Sequence, residues 1–93
     1  MIQSFGDAET EKLYRGLVSR WLPQNLQGVM HRKLVMVNAA VKLEDLRVPP
    51  GNRLEALKAD RKGQHSIRVN QQWRICFRWT KSGPADVEIV DYH

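Results

Sequence analysis

The hydrophobic positions of the chain follow two different periods, and the change between them falls at Pro49-Pro50. Upstream of the prolines, apolar residues recur every three to four positions, which predicts two amphipathic helices. The first begins at the candidate N-cap Asp7 and carries the apolar residues Leu13, Leu17, Val18 and Trp21. The second begins near Pro23, a residue accepted in the first turn of a helix. Its stripe consists of Val29, Met30, Lys33, Leu34, Val37 and Val41. Alternation from Ile2 to Phe5 predicts a short opening strand.

Downstream of the prolines the period changes to two, which is typical of half-buried strands. A short extended segment is predicted between Leu54 and Leu57. Longer strands are predicted around the alternating core residues Ile67, Val69, Trp73, Ile75, Phe77, Trp79, Val87 and Ile89. The 93 residues are therefore expected to form a single α+β domain, residues 1–93, in which two N-terminal helices pack on one face of an antiparallel sheet.

Burial of these residues also constrains how the strands pair, because partners on neighbouring strands point to the same side of a sheet. The core residues share one face only if Val69 pairs with Trp73 across a three-residue loop. This register places Arg68 directly opposite Arg74 on the uncovered face. Facing like charges cost a few tenths to about 1 kcal/mol, so the pair favours a bridging anion such as phosphate. The alternative is that the arginines splay into solvent, or that each pairs with a carboxylate such as Glu88.

Charge and composition agree with a polyanionic partner. The chain has 15 Lys and Arg against 10 Asp and Glu, and most of its net charge of +5 lies after residue 46. No apolar run approaches the roughly 20 residues of a membrane span, and the opening residues lack the pattern of a secretory signal. Cys76 is the single cysteine, which excludes an internal disulfide and a multi-cysteine zinc site and is typical of a cytoplasmic protein. No metal or other cofactor is predicted.

The last strand is expected to bring further polar groups to the arginine face. The alternation places Tyr92 beside Arg68 and Arg74 and turns Asp91 towards the edge of the core. Together with His93, these residues supply a phenol, a carboxylate and an imidazole. RNA can be cut without a metal when one group accepts the proton of the ribose 2′-hydroxyl, another protonates the leaving 5′-oxygen, and cations stabilise the phosphoryl oxygens. The alternative is that the tail is an untethered chain end.

Several stretches carry a resemblance to a known family: residues 49–58, 60–70, 72–77 and 87–93, which includes the terminal Asp-Tyr-His. They resemble the HigB toxins, the plasmid maintenance killer branch of the RelE/ParE superfamily, and most closely its GraT-type members. The resemblance spans essentially the whole chain and implies a microbial RNase-like fold. It also implies ribosome-dependent cleavage of mRNA in the decoding site. The implied partner is a helix-turn-helix antitoxin of the HigA or GraA type, through which alone the toxin would reach operator DNA.

The resemblance also assigns roles by position. The phosphate-facing arginines and the functional tail of the family correspond to Arg68, Arg74, Asp91, Tyr92 and His93. Its basic loop, which contacts RNA and the ribosome, corresponds to Lys58, Arg61 and Lys62, expected at the rim of the arginine face, with Arg53 upstream. Glu55 stands where some members have a catalytic histidine. It is a possible additional base, although a carboxyl group with a reference pKa of about 4.3 is a poor acid at neutral pH.

Two other functions are consistent with the sequence. One is a toxin of the same fold that binds and inhibits its target without cutting it, as the ParE branch does; the terminal Asp-Tyr-His argues against this. The other is an RNA-binding regulatory module, whose binding would weaken steeply with salt and leave the RNA whole. The antitoxin could cover the basic residues, or it could dock on the helices near Arg15, Arg20 and Arg32 and block access to the ribosome.

Overall fold

Two helices and a four-stranded antiparallel sheet make up the computed structural model of the protein, which describes residues 1–92. The elements are α1 (Ala8–Tyr14), α2 (Gln27–Ala39), β1 (Glu55–Ala56), β2 (His65–Arg68), β3 (Trp73–Thr80) and β4 (Gly83–Asp91). The strand order is β1-β2-β3-β4, so every strand pairs with its neighbours in sequence. This architecture confirms the predicted α+β class. Within the described residues, neither helix has the length and apolar character needed to cross a membrane.

The core lies between α2 and the sheet. The helix contributes Met30, Leu34 and Val37, which are completely buried. The sheet contributes Ile67, Ile75, Phe77, Val87 and Ile89, and Trp73 and Trp79 pack against them while partly exposed. The alternation in the sequence therefore identified the buried side of β2, β3 and β4 correctly.

The hairpin between β2 and β3 has the predicted register. Ile67 pairs with Ile75, and Arg68 pairs with Arg74. The backbone N–H of Val69 donates a hydrogen bond of 2.9 Å to the carbonyl oxygen of Trp73, which closes the predicted three-residue loop. Because side chains alternate along a strand, this register separates the apolar and the arginine-bearing sides of the sheet.

The first helix is shorter than predicted. It ends at Tyr14 because Gly16 adopts a φ of +85°, a left-handed conformation that suits glycine at a helix C-terminus. The N–H groups of Gly16 and Leu17 then donate to the carbonyls of Leu13 and Lys12, which is the Schellman pattern of helix termination. The predicted apolar stripe is interrupted as a result, and Trp21 is 80% exposed in the following loop.

The other two local predictions need smaller corrections. The second helix begins at Gln27 after a short 3-10 turn that follows Pro23, and it ends at Ala39. Val41 consequently lies outside the helix and is 88% exposed. The opening residues do not form a regular strand; Phe5 makes one isolated parallel bridge to Val87 of β4.

Asp7 is the predicted N-cap, and removing its carboxylate should destabilise the protein. Its two oxygens accept hydrogen bonds from the Thr10 backbone N–H at 2.6 Å and from the Thr10 hydroxyl at 3.1 Å. The Thr10 hydroxyl oxygen also accepts from the N–H of Ile89 at 3.0 Å, which links α1 to β4. We expect Asp7→Ala to lower the free energy of unfolding by about 1–2 kcal/mol, measured by urea denaturation. Asp7→Asn is the matched control and should retain most of the stability, because asparagine also caps helices well. An alanine variant within about 0.5 kcal/mol of the wild type would contradict this role.

Candidate functional site

The side of the sheet that faces away from the helices carries the two paired arginines. One row across the strands is Arg68, Arg74 and Val90, and the adjacent row is Glu55, Ser66, Cys76 and Glu88. Side chains from outside these rows also reach this surface, as described below. We call it the basic face and define it by Ser66, Arg68, Arg74, Cys76 and Glu88 together with the side chains of Arg61 and Tyr92.

Arg74 is held by contacts on one edge of its guanidinium group. Its Nε–H donates to the Ser66 hydroxyl oxygen at 2.7 Å, and Nη2 donates to the Arg53 carbonyl oxygen at 2.8 Å. Nη2 also lies 3.5 Å from a carboxylate oxygen of Glu55, and only 12% of the Arg74 side chain is exposed. The sequence left open whether the arginines pair with carboxylates. Arg74 does so, with Glu55 instead of Glu88.

Arg68 differs from its partner in the register. It is half-buried, and within residues 1–92 it forms neither an ion pair nor a side-chain hydrogen bond. The Arg68 guanidinium therefore keeps its donors for a ligand. A planar guanidinium with unused donors is well suited to a phosphate group.

Tyr92 lies on the basic face, as the alternation predicted. The guanidinium carbon of Arg74 lies 5.8 Å from the centroid of the Tyr92 ring, within the range of a cation–π contact. The backbone N–H of Tyr92 donates to the Gln72 carbonyl oxygen at 2.6 Å, which fixes the chain just beyond β4. The tail is thus tethered as far as Tyr92. The predicted role of His93 concerns a residue outside those that the structure describes.

Asp91 is placed on the other side of β4. Its register partner is Trp73, whose side chain packs against the core, and its carboxylate accepts a hydrogen bond of 3.1 Å from the side-chain amide of Gln72. This agrees with the expectation that Asp91 lies towards the core edge. The structure therefore brings Tyr92 and Arg74 together on one surface, while the Asp91 side chain projects from the opposite side of the strand.

The predicted basic loop divides into two parts. Lys58 and Lys62 are exposed, as is Arg53 upstream of them, in keeping with a position at the rim. Arg61, at the end of a 3-10 turn (Ala59–Arg61), is half-buried instead. Its Nη1 donates to Glu88 at 2.7 Å and to the Gln64 side-chain oxygen at 3.0 Å. The hydrogen bond to Glu88 raises the pKa of Arg61 above its ordinary value. The expectation that all three cations lie at the rim is thus wrong for Arg61.

Three groups of the site were not singled out from the sequence. Ser66 shares the alternation of Arg68, so the register alone places it on the basic face, but nothing marks it as a partner of Arg74. Gln64 lies between a turn at residues 62–63 and the start of β2, just outside the alternating segment. The carbonyl oxygen of Arg53 has no side-chain signature; it is turned towards Arg74 by a residue with a φ of +46°.

Cys76 is completely buried beneath the basic face, and its thiol should be unreactive in the native protein. Burial raises the pKa of Cys76 above its ordinary value, which reduces the fraction of reactive thiolate. We expect N-ethylmaleimide at pH 8 to modify the native protein at least about a hundredfold more slowly than the urea-unfolded chain. A raised pKa also means that the contribution of the protonated thiol to stability is complete below the pKa of the unfolded thiol and is lost as pH rises towards the folded value. Equal modification rates in native and unfolded protein would contradict this burial.

No group of three or more His, Cys, Asp and Glu side chains within the described part of the chain is arranged to hold a metal ion.

Comparisons with known proteins place the chain in one family and its fold beside a solved structure. A sequence model described as the RelE-like toxin of type II toxin-antitoxin system HigB matches residues 3–93. The chain is 41% identical over 94 residues to Toxin HigB-1 of Vibrio cholerae, an alignment that covers 100% of this chain and 98% of the relative. It is 28% identical over 93 residues to Endoribonuclease HigB of Proteus vulgaris, with 100% of both chains covered. The crystal structure of YafQ from E. coli strain BL21(DE3) has a similar fold, with a TM-score of 0.57 and 16% identity over 98% of this chain and 91% of YafQ. The chain belongs to the HigB-like toxins, the RelE-like toxins of type II toxin–antitoxin systems.

Proposed function

We propose that this toxin is an endoribonuclease that cuts mRNA in the A site of the ribosome and thereby inhibits translation. The observation that carries the proposal is the basic face itself: two arginines directly opposite each other, with the phenol of Tyr92 against one of them. Glu55 offsets the charge of Arg74, whereas Arg68 forms no ion pair within residues 1–92, so an anion bound against Arg68 makes the facing pair favourable. The family and the printed name of the Proteus vulgaris relative, an endoribonuclease, support the same activity.

The proposed reaction is an attack by the ribose 2′-hydroxyl on the adjacent phosphate. The 2′-oxygen forms a bond to phosphorus, the bond from phosphorus to the 5′-oxygen breaks, and a 2′,3′-cyclic phosphate and a free 5′-hydroxyl result. One protein group accepts the proton of the 2′-hydroxyl, and another gives a proton to the leaving 5′-oxygen. Cations stabilise the charge that develops on the phosphoryl oxygens.

The proposed residues divide these roles. Arg68 has unused donors and binds the phosphate, whereas Arg74 supplies positive charge and fixes the ring of Tyr92. Tyr92 and His93 are the groups assigned to proton transfer, with no cofactor. The catalytic role predicted for Asp91 does not fit this surface, because its side chain projects from the opposite side of β4 and accepts a hydrogen bond from Gln72. Tyr92 is 37% exposed, so a substrate on the basic face can reach it.

Glu55 is assigned a different role from the histidine that it replaces. Its carboxylate is half-exposed and ion-paired with Arg74 at 3.5 Å, so it helps to hold that guanidinium in position. This pairing favours a structural counter-charge over a general acid. The cations Lys58, Lys62 and Arg53 are exposed and are proposed to contact the RNA backbone or the ribosome.

The toxin–antitoxin family implies a protein antitoxin as a partner. We propose that this antitoxin is a helix-turn-helix protein, that the pair reaches operator DNA through the antitoxin, and that the toxin acts in the cytoplasm, where the ribosomes are. The antitoxin would silence the toxin by covering the basic face or by docking on the helices near Arg15, Arg20 and Arg32.

The test is primer extension on a defined mRNA, incubated with the protein in the presence and absence of purified translating ribosomes. The proposal predicts new 3′ ends at codon-spaced positions in the ribosome sample only. Cuts of equal intensity in ribosome-free mRNA would show a nuclease that does not depend on the ribosome. Inhibition of translation without any cut would replace the proposal by a toxin that inhibits through binding.

A further inference from the structure

Arg61 and Arg74 present different edges of their guanidinium groups to the basic face. Arg74 uses Nε and Nη2, the two donors that lie parallel on one side of the group, for contacts within the protein. Within residues 1–92, Arg61 uses only Nη1. A guanidinium grips two oxygens of a phosphate at once through two neighbouring donors, either Nε and Nη2 or Nη1 and Nη2. In Arg74, Nη2, which both pairs contain, contacts the Arg53 carbonyl oxygen and lies beside Glu55, so the two arginines are equipped for different tasks.

The anchoring of Arg61 accounts for both hydrogens on Nη1. One is directed to Glu88 at 2.7 Å and the other to Gln64 at 3.0 Å. The Nε–Nη2 edge of Arg61 makes no hydrogen bond with any residue in the range 1–92. The ion pair between Arg61 and Glu88 is partly buried, with 32% of the Arg61 side chain and 26% of the Glu88 side chain exposed. The Glu88 carboxylate and the Gln64 amide therefore hold the Arg61 guanidinium through Nη1, the nitrogen outside the Nε–Nη2 edge.

We propose that Glu88 and Gln64 are positioning residues that hold Arg61 with its free edge directed at a phosphate of the bound RNA. Arg61, unlike Arg74, then grips a phosphate with two parallel hydrogen bonds, in addition to the phosphate contact proposed for Arg68. This inference rests on the proposed function, since it names the residues that orient the RNA backbone in that reaction.

The direction in which removal of Glu88 changes RNA affinity distinguishes a positioning role from a purely electrostatic one. A carboxylate on an RNA-binding surface repels phosphate, so a Glu88 that acted only through its charge would weaken binding, and its removal would strengthen binding. A Glu88 that positions Arg61 has the opposite effect, because its removal frees a side chain with many rotamers and the ordering of that side chain then opposes binding. Gln64 carries no charge, so its removal tests positioning without an electrostatic contribution.

The experiment measures binding of a short single-stranded RNA by fluorescence anisotropy at several salt concentrations. It uses the wild type, Glu88→Ala, Gln64→Ala and Arg61→Ala, and each anchor variant is also combined with Arg61→Ala. We expect Arg61→Ala to weaken binding about ten- to a hundredfold and to reduce the slope of log K against log salt by about 0.7. Glu88→Ala and Gln64→Ala should each weaken binding several-fold in the wild-type background and have no weakening effect in the Arg61→Ala background.

Rescue by a conservative variant supplies the second readout. Arg61→Lys keeps the charge but has no parallel pair of donors, so we expect it to restore the salt slope without restoring the affinity. Stronger binding by Glu88→Ala, equal weakening by the anchor variants in both backgrounds, full affinity of Arg61→Lys, or no RNA binding by the wild type would each overturn the inference. Urea denaturation of every variant identifies those that are not folded. If Glu88→Ala does not fold, the result for Gln64→Ala alone tests the positioning of Arg61.

Ribosome-dependent cleavage by the same proteins separates this inference from the proposed function. A wild type that cuts no mRNA on ribosomes would overturn the proposed function. A wild type that cuts, accompanied by Glu88→Ala and Gln64→Ala proteins with unchanged KM and kcat, would overturn the positioning roles alone. We expect the anchor variants to raise KM more than they lower kcat, because they disturb the grip on the backbone and leave the proton-transfer groups in place.

Discussion

A protein that lacks Tyr92 and His93 should cut ribosome-bound mRNA about 10²- to 10⁴-fold more slowly than the wild type, the range in which general acid–base groups contribute to rate. The deletion removes the phenol of Tyr92, which lies against Arg74, and the imidazole of His93, whose catalytic role is predicted from the sequence. The rate is measured by primer extension on programmed ribosomes over a range of times.

The same deletion should have little effect on stability, which makes the result interpretable. β4 ends at Asp91, and among the residues that the structure describes the deletion removes one backbone hydrogen bond, from the N–H of Tyr92 to the Gln72 carbonyl oxygen. The loss should be about 0.5–1.5 kcal/mol in urea denaturation. Tyr92→Phe is a narrower variant that keeps the ring against Arg74 and removes only the hydroxyl. Undiminished cleavage by the truncated protein would contradict the assignment of the tail.

Arg74→Lys should slow cleavage by about 10²-fold or more even though it keeps the positive charge. A lysine cannot hold the Ser66 hydroxyl and the Arg53 carbonyl at once, and it loses the planar group against Tyr92. Since misplacement of catalytic groups by about 1 Å can cost 10²-fold, kcat should fall more than KM rises. Ser66 is completely buried, and its unpaired hydroxyl should also lower the free energy of unfolding by about 1–3 kcal/mol.

Arg78→Lys is the matched control for this substitution. Arg78 lies on the same strand, is exposed, and pairs with Asp86 at 3.2 Å, away from Tyr92. An exposed pair of this kind contributes little to stability, so cleavage and unfolding should remain close to wild type. Equal losses of activity in Arg74→Lys and Arg78→Lys would indicate a general dependence on arginine charge and contradict the positioning of Tyr92 by Arg74.

The pairing of the strands was predictable because the alternation of apolar and polar residues fixes which residues must lie opposite each other. Once Ile67 and Ile75 must share the core, Arg68 has to face Arg74, and no knowledge of the helices is needed. The helical half was less predictable. Leu17 and Val18 continue the helical spacing of Leu13, but the left-handed Gly16 ends α1 before them.

The candidate site was predictable in its strand residues and not in its loops. The position of Tyr92 on the basic face follows from alternation along β4, as its contact with Arg74 confirms. The inward position of Arg61 does not follow from any period, since it depends on how a 3-10 turn aims one side chain at Glu88 on a strand 27 residues away. Long-range polar contacts of this kind leave no local pattern in a sequence, so the loop was predicted as an undivided basic rim.

If the basic face directs an attack by the ribose 2′-hydroxyl, removing that hydroxyl from the RNA must stop cleavage. An mRNA is prepared with a single 2′-deoxynucleotide on the 5′ side of a mapped cleavage position and is placed in the A site of programmed ribosomes with the wild-type protein. We expect cleavage at this position to disappear, while the all-ribose mRNA is cut and yields a 2′,3′-cyclic phosphate. Cleavage of the deoxy-substituted mRNA at an undiminished rate would contradict this mechanism, because the attacking oxygen would then have to come from water.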